Sequence, residues 1–144
     1  MEKITFAYAV SKNKSFESKH FGASDKFLFF RYADEKFSFI TEKENIHKDM
    51  DKEKGHGLKE KGEAIINLLK ERKVQVLVAK QFGENIKIIN KHFVPVIVQI
   101  TSLEDVNEIL KKHIFWIEDE IRSKKKGHNL FTIRNSIMKT AIEE

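Results

Sequence analysis

Hydrophobic and polar residues alternate in three short segments of the first third of the chain. Alternation of this kind is typical of β-strands that bury one face. The first segment, Ile4–Val10, carries a large apolar side chain at every second position. The next two, Lys26–Tyr32 and Lys36–Thr41, are rich in aromatic residues and are separated only by residues 33–35. So short a polar link predicts an antiparallel hairpin.

A different spacing begins near Leu58, where apolar residues recur every three or four positions, as they do on one face of an α-helix. Between the helical segments lie continuous apolar runs, which are typical of parallel strands covered on both faces. The predicted elements here are a helix over Leu58–Arg72, a strand over Val74–Ala79, a short helix over Glu84–His92, a strand over Pro95–Ile100, and a helix that begins at Ser102 and continues past Ile121.

The last part of the chain also shows helical spacing, at Leu130, Ile133, Ile137 and Ala141. With Asn129 as its cap, this pattern predicts a final helix. The polar residues 123–128 before it mark the best candidate for a boundary. We therefore predict an α/β domain over residues 1–122 and a C-terminal helical extension over residues 123–144. The apolar face of the predicted C-terminal helix must pack against another surface, which is either the sheet of the same chain or a second subunit of a homodimer.

The predicted element order is β-β-β-α-β-α-β-α, followed by the C-terminal helix. A hairpin followed by two β-α-β units indicates a mixed sheet, because strands joined through a crossover helix run parallel. The sequence therefore predicts an α/β fold with a mixed five-stranded sheet and flanking helices.

Composition narrows the possible functions. The 144 residues include no cysteine, which excludes disulfides, thiolate catalysis and thiolate metal sites. Basic and acidic residues are interspersed, with a formal net charge of +5, so most of the charge is expected on a solvated surface rather than on a nucleic-acid interface. Neither a signal peptide nor a membrane-spanning segment is expected, and a cytoplasmic location fits the absence of cysteine.

Three loops of the predicted fold carry residues suited to ligand binding. His20-Phe21-Gly22 precedes the second strand, and His56 stands between two glycines in the charged loop of residues 42–57. The fourth strand is followed by Phe82-Gly83-Glu84-Asn85. We predict that His20 and His56 contact a shared ligand, either a small anion or a metal-containing group. The histidines at positions 92 and 113 lie near apolar helix faces and are expected to be packed.

The order and spacing of these motifs resemble the dinitrogenase iron-molybdenum cofactor biosynthesis family over residues 3–103. The resemblance implies a ribonuclease-H-like fold and a non-catalytic role, in which the protein carries an iron-sulfur or iron-molybdenum cluster during cofactor assembly. It implies that His20 is a metal contact and that Phe21 and Gly22 shape its loop. The predicted cofactor-binding residues are His20, Phe21, Gly22, His56, Gly83 and Asn85.

Where relatives often carry a cysteine near this loop, the present chain has Ala23-Ser24-Asp25. Iron-sulfur clusters are usually held by thiolates, so further ligands would have to come with the cluster or from a second subunit. The alternative is a divergent relative without cluster binding, acting as a protein- or nucleic-acid-binding module. Lysines within residues 43–61 and 124–126 are the candidate phosphate contacts for that alternative.

Catalytic templates do not fit the sequence. A two-metal nuclease needs carboxylates that converge on the metal ions, but neither the first predicted strand nor the end of the fourth supplies one. No Gly-x-Ser-x-Gly elbow and no glycine-rich phosphate loop occurs. We therefore predict binding without turnover.

Overall fold

The computed structural model describes residues 3–49, 58–83, 86–99, 102–123, 127–134 and 137–142, which form seven strands and four α-helices. None of these helices is both long and apolar enough to cross a membrane. The strands are β1 (Ile4–Val10), β2 (Lys26–Ala33), β3 (Lys36–Glu44), β4 (Val76–Ala79), β5 (Val94–Val98), β6 (Leu130–Ile133) and β7 (Ile137–Thr140). The helices are α1 (Leu58–Glu71), α2 (Ile86–Ile89), α3 (Leu103–Lys112) and α4 (Ile114–Arg122).

All seven strands belong to one sheet, in the order β3-β2-β1-β4-β5-β6-β7. The central strands β1, β4, β5 and β6 run parallel, whereas β2, β3 and β7 are antiparallel to their neighbours. The predicted mixed α/β class is confirmed, and each of the five predicted strands is present. The predicted strand number is wrong, because two more strands extend the sheet beyond β5. The ribonuclease-H-like fold stays a prediction.

Side chains alternate between two hydrophobic cores on opposite faces of the sheet. The first core lies under α3 and α4, which contribute Val106, Leu110 and Ile117. The second core lies under α1 and α2, which contribute residues such as Leu69 and Ile89. Strand β2 supplies both cores, as its alternation predicts: Phe27 and Phe29 enter the second core, while Leu28 enters the first and Phe30 packs against it.

Tyr8 joins the sheet to α3 inside the first core. Its side chain is fully buried, and its hydroxyl donates a hydrogen bond to Oδ1 of Asn107. Burial raises the pKa of the Tyr8 phenol well above its ordinary value. The hydroxyl is therefore a neutral, satisfied donor that fixes β1 against α3, since an unpaired buried hydroxyl would be costly.

The predicted hairpin is confirmed as the β2–β3 pair. Two residues, Asp34 and Glu35, join the strands, and both have positive φ, at 51° and 63°. Positive φ at both central positions is the geometry that matches the twist of hairpin strands. Strand β3 continues to Glu44, beyond the predicted end at Thr41, so the predicted loop of residues 42–57 begins later. Residues 50–57 lie outside the described ranges.

The predicted C-terminal helix is wrong. Residues 130–133 and 137–140 form β6 and β7, and β6 pairs in parallel with β5. Phe131 and Ile133 lie opposite Val96 and Val98 and are fully buried in the first core. The apolar side chains of this segment therefore alternate as in a strand, although their spacing in the sequence also fits a helix. The homodimer predicted through this helix has no helix to act through in the described residues 127–134 and 137–142.

Asn129 does not cap a helix as predicted. Its backbone N–H and its side-chain amide donate to the carboxylate of Glu120 on α4, at 3.2 and 2.8 Å. Nδ1 of His128 lies 3.1 Å from the same carboxylate. Glu120 is only 4% exposed, so this buried carboxylate fixes the start of β6 to the last turn of α4.

The helix predicted to begin at Ser102 is divided into two. Ser102 caps α3, with its hydroxyl oxygen accepting from the Asp105 N–H at 3.2 Å, so the predicted start of the helix is confirmed. His113 leaves the helical conformation, with φ −116° and ψ 24°, and α4 begins at the next residue. The break allows Leu110 and Ile117 on successive helices to reach the first core.

Candidate functional site

Two loops meet where β1 and β4 end. These strands are parallel neighbours, with Phe6 opposite Val76, so both end at the same edge of the sheet. The backbone N–H of Phe21 donates to the Gln81 carbonyl at 2.9 Å. The side-chain amide of Gln81 donates to the Ser18 carbonyl at 2.6 Å. We call the surface formed by residues 18–25 and 80–83 the rim, and these bonds join its two loops.

The imidazole of His20 lies against Gly83. The backbone of Gly83 has φ +73°, a conformation that glycine adopts without strain. A Cβ atom at this position would lie 2.8 Å from Nδ1 and 3.0 Å from Cγ of His20. Glycine is therefore needed both for the turn and for the position of the ring. His20 remains exposed to solvent at the same time.

Phe21 anchors the rim to the second core. Its side chain is 1% exposed and stacks on Phe27 of β2 and on Phe82, with ring centroids 4.9 and 5.6 Å apart. Phe21 begins a 3-10 turn over Phe21–Ala23. The Ala23 N–H donates to the His20 carbonyl there at 2.9 Å. The neighbouring His20 is thereby held at the surface by a residue that is fully buried.

Gly22 lies beside the first turns of α1. A Cβ at this position would be 3.3 Å from Cδ1 of Ile65 and 3.6 Å from Cε of Lys61. The Gly22 carbonyl accepts from the side-chain amide of Asn45 at 2.9 Å, and the same amide donates to the Ser24 carbonyl at 3.0 Å. Asn45 is 3% exposed and was not singled out in the sequence, because it stands in a highly charged segment.

An ion pair supports the base of the rim. Lys48 Nζ lies 2.9 Å from the Asp25 carboxylate, which also accepts from the backbone N–H of Lys12 at 3.2 Å. The hydrogen bond from Lys48 is the largest of the effects that hold the pKa of Asp25 below its ordinary value, and partial burial opposes it. Lys48 is thus engaged with a carboxylate, rather than free for the phosphate contact predicted for residues 43–61.

This ion pair predicts an acid-sensitive contribution to stability. Because the folded-state pKa of Asp25 is lowered, its stabilisation is present above the ordinary aspartate pKa of about 3.9 and is lost as the pH falls through the lowered value. Asp25→Asn should therefore lower the free energy of unfolding at neutral pH. The loss should shrink below about pH 4. Urea unfolding at a series of pH values measures the effect.

Asp34→Asn provides the control, since this aspartate lies in the β2–β3 turn away from Lys48. Its unfolding free energy should follow the wild-type profile with pH. If the curves of Asp25→Asn and the wild type ran parallel from neutral to acid pH, the ion pair would not contribute in this way.

The structure places the predicted site residues as follows. It brings His20 and Gly83 into contact, buries Phe21 beneath them and packs Gly22 beside α1. His56, Asn85 and the lysines at 124–126 lie outside the described ranges. Among the residues that are described, no group of three or more histidine, aspartate and glutamate side chains is placed to hold a metal ion. Among the described residues, His20 therefore does not belong to a group of three such side chains.

One mixed sheet with helices on both faces, and joined loops at the ends of neighbouring parallel strands, define a small α/β protein with a candidate site at its strand ends. The family described as dinitrogenase iron-molybdenum cofactor has a model that matches residues 2–114, and the chain belongs to this family. The family resemblance predicted from the motifs is thereby confirmed. No curated protein matches the chain.

Membership relates the protein to the proteins of nitrogenase iron-molybdenum cofactor biosynthesis and binding. The matched residues include both loops of the rim and end at the first residue of α4. Strands β6 and β7 lie beyond the match, although they belong to the same sheet.

Proposed function

We propose that the rim binds a metal cluster as cargo, through a single contact with His20, and that the protein carries this cluster without chemical turnover. The observation that supports the proposal most directly is the contact between the His20 ring and Gly83. It joins the two loops of the rim in a chain that belongs to the iron-molybdenum cofactor family. An exposed imidazole held in one position is a suitable ligand for iron.

The available donors limit how the cluster would be held. The sequence has no cysteine, whereas iron-sulfur clusters are usually bound by several thiolates. Together with the absence of a three-ligand group among the described side chains, this means that His20 would supply one ligand only. The cluster would keep its other ligands or share them with a second subunit. A single protein ligand favours exchange, which suits transfer rather than permanent storage.

The side chains around His20 support a role without turnover. Ser24, the hydroxyl next to the motif, is fully buried and donates to the Phe21 carbonyl at 2.9 Å. Asp25 is engaged with Lys48. Neither residue is arranged as a nucleophile beside a base, which is the arrangement that covalent catalysis requires.

Anaerobic incubation with a synthetic thiolate-ligated iron-sulfur cluster, followed by gel filtration, tests the proposal. The wild-type protein should retain iron and the visible absorption of the cluster. His20→Ala should weaken binding by about tenfold or more, because even the loss of a residue that only orients a metal ligand typically costs about 10–100-fold in metal affinity. Gly83→Ala should weaken it as well, since the new methyl group would displace the ring while leaving the imidazole in the chain.

His113→Ala is the matched control. His113 lies between α3 and α4, and its side chain makes no capping hydrogen bond. This variant should retain as much iron as the wild type. Equal retention by His20→Ala and the wild type would overturn the role of His20, and absence of retained iron in the wild-type protein would overturn cluster binding itself.

A further inference from the structure

A strongly basic groove lies at the opposite end of the sheet from the rim. It has a volume of about 640 Å³ and opens where β1, β4 and β5 begin. Lys3 and Arg31 contribute from the β1–β2 pair, Lys70, Arg72 and Lys73 from the end of α1, and His92 from the segment before β5. A second groove of about 450 Å³ shares Thr5, Arg31 and Arg72 with it.

Five positive charges lie along this groove. The five lysines and arginines carry as much formal charge as the net charge of the whole chain, +5. Among the described residues that line the larger groove there is no aspartate or glutamate, and Glu71 lines only the smaller one. Within the described ranges, no carboxylate forms an ion pair with any of the five cations. The five positive charges at this groove are therefore not neutralised by ion pairs within the described residues.

The fold orients one of these basic side chains and fixes the backbone turn that carries its neighbour Lys73. The guanidinium of Arg72 lies 4.9 Å from the centre of the Phe29 ring, a cation–π contact that orients it. Lys73 has φ +58° where the chain leaves α1, a position usually taken by glycine. The backbone N–H groups of Arg72 and Val74 both donate to the Leu69 carbonyl, at 3.1 Å, which fixes the turn that brings these cations together.

The geometry points to a binding site for a small anion that carries two or more phosphoryl groups, such as pyrophosphate, tripolyphosphate or a nucleoside triphosphate. Arginine and lysine are the usual partners of phosphate oxygens, and a planar guanidinium binds them in pairs. A cavity of this size falls in the range of small-ligand sites, about 300–1,000 Å³.

A single-stranded nucleic acid fits the groove less well. Proteins that bind single strands combine basic grooves with exposed aromatic rings on which bases stack. The two aromatic residues at this site, Phe29 and Phe93, are each only 1% exposed. The groove thus offers contacts to phosphate without a stacking surface for bases.

His92 provides a reporter within the groove. Partial burial, followed by the positive charges of Lys70 and Lys91, lowers the pKa of its imidazole. A bound phosphoryl group would offset the charge of Lys70 and raise this pKa. The ring proton signals of His92 in an NMR titration would show this change, whereas an anion bound elsewhere would leave them unchanged.

Calorimetric titration with pyrophosphate, tripolyphosphate and ATP at about 0.15 M salt, where the Debye length is about 8 Å, tests the proposal. The wild-type protein should bind with saturation. Lys70→Gln with Lys73→Gln should weaken binding by about tenfold or more, comparable to the loss of a charge-assisted hydrogen bond. Tighter binding of ATP than of tripolyphosphate would show that the nucleoside contributes, and equal affinities would assign binding to the phosphates alone.

Lys111→Gln with Lys112→Gln is the matched control, because these exposed lysines lie in the last turn of α3 on the other face of the sheet. This double variant removes the same charge and should change the affinity by less than about twofold, because the charges are exposed, screened by salt and on the opposite face of the sheet. Equal weakening by both double variants would overturn a local site. So would absence of saturable binding by the wild type, or tighter binding of a single-stranded oligonucleotide than of tripolyphosphate.

Discussion

A chain that ends at Ser123 is expected to be largely unfolded under conditions in which the full chain is folded. The deletion removes β6 and β7, and with them three buried side chains of the first core, Phe131, Ile133 and Ile137. Each such side chain contributes about 1.5–3 kcal/mol by its burial. Their combined loss is comparable to the whole free energy of unfolding of a typical domain, about 5–15 kcal/mol.

The deletion also exposes parts of the molecule that remain. Strand β5 would lose its parallel neighbour, and an unpaired edge of apolar residues favours aggregation. Glu120 would lose its hydrogen bonds from the backbone and side chain of Asn129. Circular dichroism and thermal unfolding would measure the outcome.

A chain that ends at Thr140 keeps β7 complete and serves as the control. It should unfold at nearly the same temperature as the full chain. A cooperative, native-like unfolding transition in the chain that ends at Ser123 would show that residues 3–123 fold without the last two strands.

Phe21→Ala is the single substitution with the largest expected effect on the rim. The ring is almost completely buried and stacks on Phe27 and Phe82. Truncation of a buried phenylalanine to alanine typically lowers the free energy of unfolding by about 3–5 kcal/mol. Because the buried Phe21 ring anchors the loop that carries His20, the variant should also release the imidazole from its contact with Gly83. Denaturant unfolding and NMR signals of His20 measure the two effects.

Phe39→Ala is the matched control for this truncation. Phe39 lies on β3 with 55% of its side chain exposed, so the same chemical change should alter the free energy of unfolding by about 0.5 kcal/mol or less. If the two variants were equally stable, Phe21 would not anchor the rim to the second core. A destabilised Phe21 variant with unchanged His20 signals would contradict only the coupling to the imidazole.

The sequence was sufficient to predict those elements in which the spacing of apolar residues fits either a helix or a strand, but not both. Alternation identified β1 and the β2–β3 hairpin, and helical spacing identified α1 and α3. It was insufficient at residues 130–137, where Leu130, Ile133 and Ile137 fit a helical face while Phe131 and Ile133 fit a strand. Pairing with β5 decides between the two. This pairing joins residues 35 positions apart, such as Val96 and Phe131, so local periodicity does not show it.

The candidate site was predictable to a similar degree. The His20 loop and the Gly83 turn could be located because glycine and histidine are distinctive residues in loops between strands. Asn45 and Gln81, which fix these loops through carbonyl groups, could not be found in this way. The side chain of Asn45 binds carbonyl groups that lie 23 and 21 positions away in the sequence, and the side chain of Gln81 binds one that lies 63 positions away. Polar residues in charged segments are usually solvated, so neither stands out in the sequence.

The two loops that meet around His20 come from distant parts of the polypeptide, with 63 positions between His20 and Gly83. During synthesis, the imidazole of His20 therefore cannot contact Gly83 until β4 and the turn after it have emerged from the ribosome and β4 has paired with β1. The contact on which the proposed cargo site depends would form only after β1 has paired with β4 across the β2–β3 hairpin and α1. Binding through His20 would then be restricted to chains in which this part of the sheet has already formed.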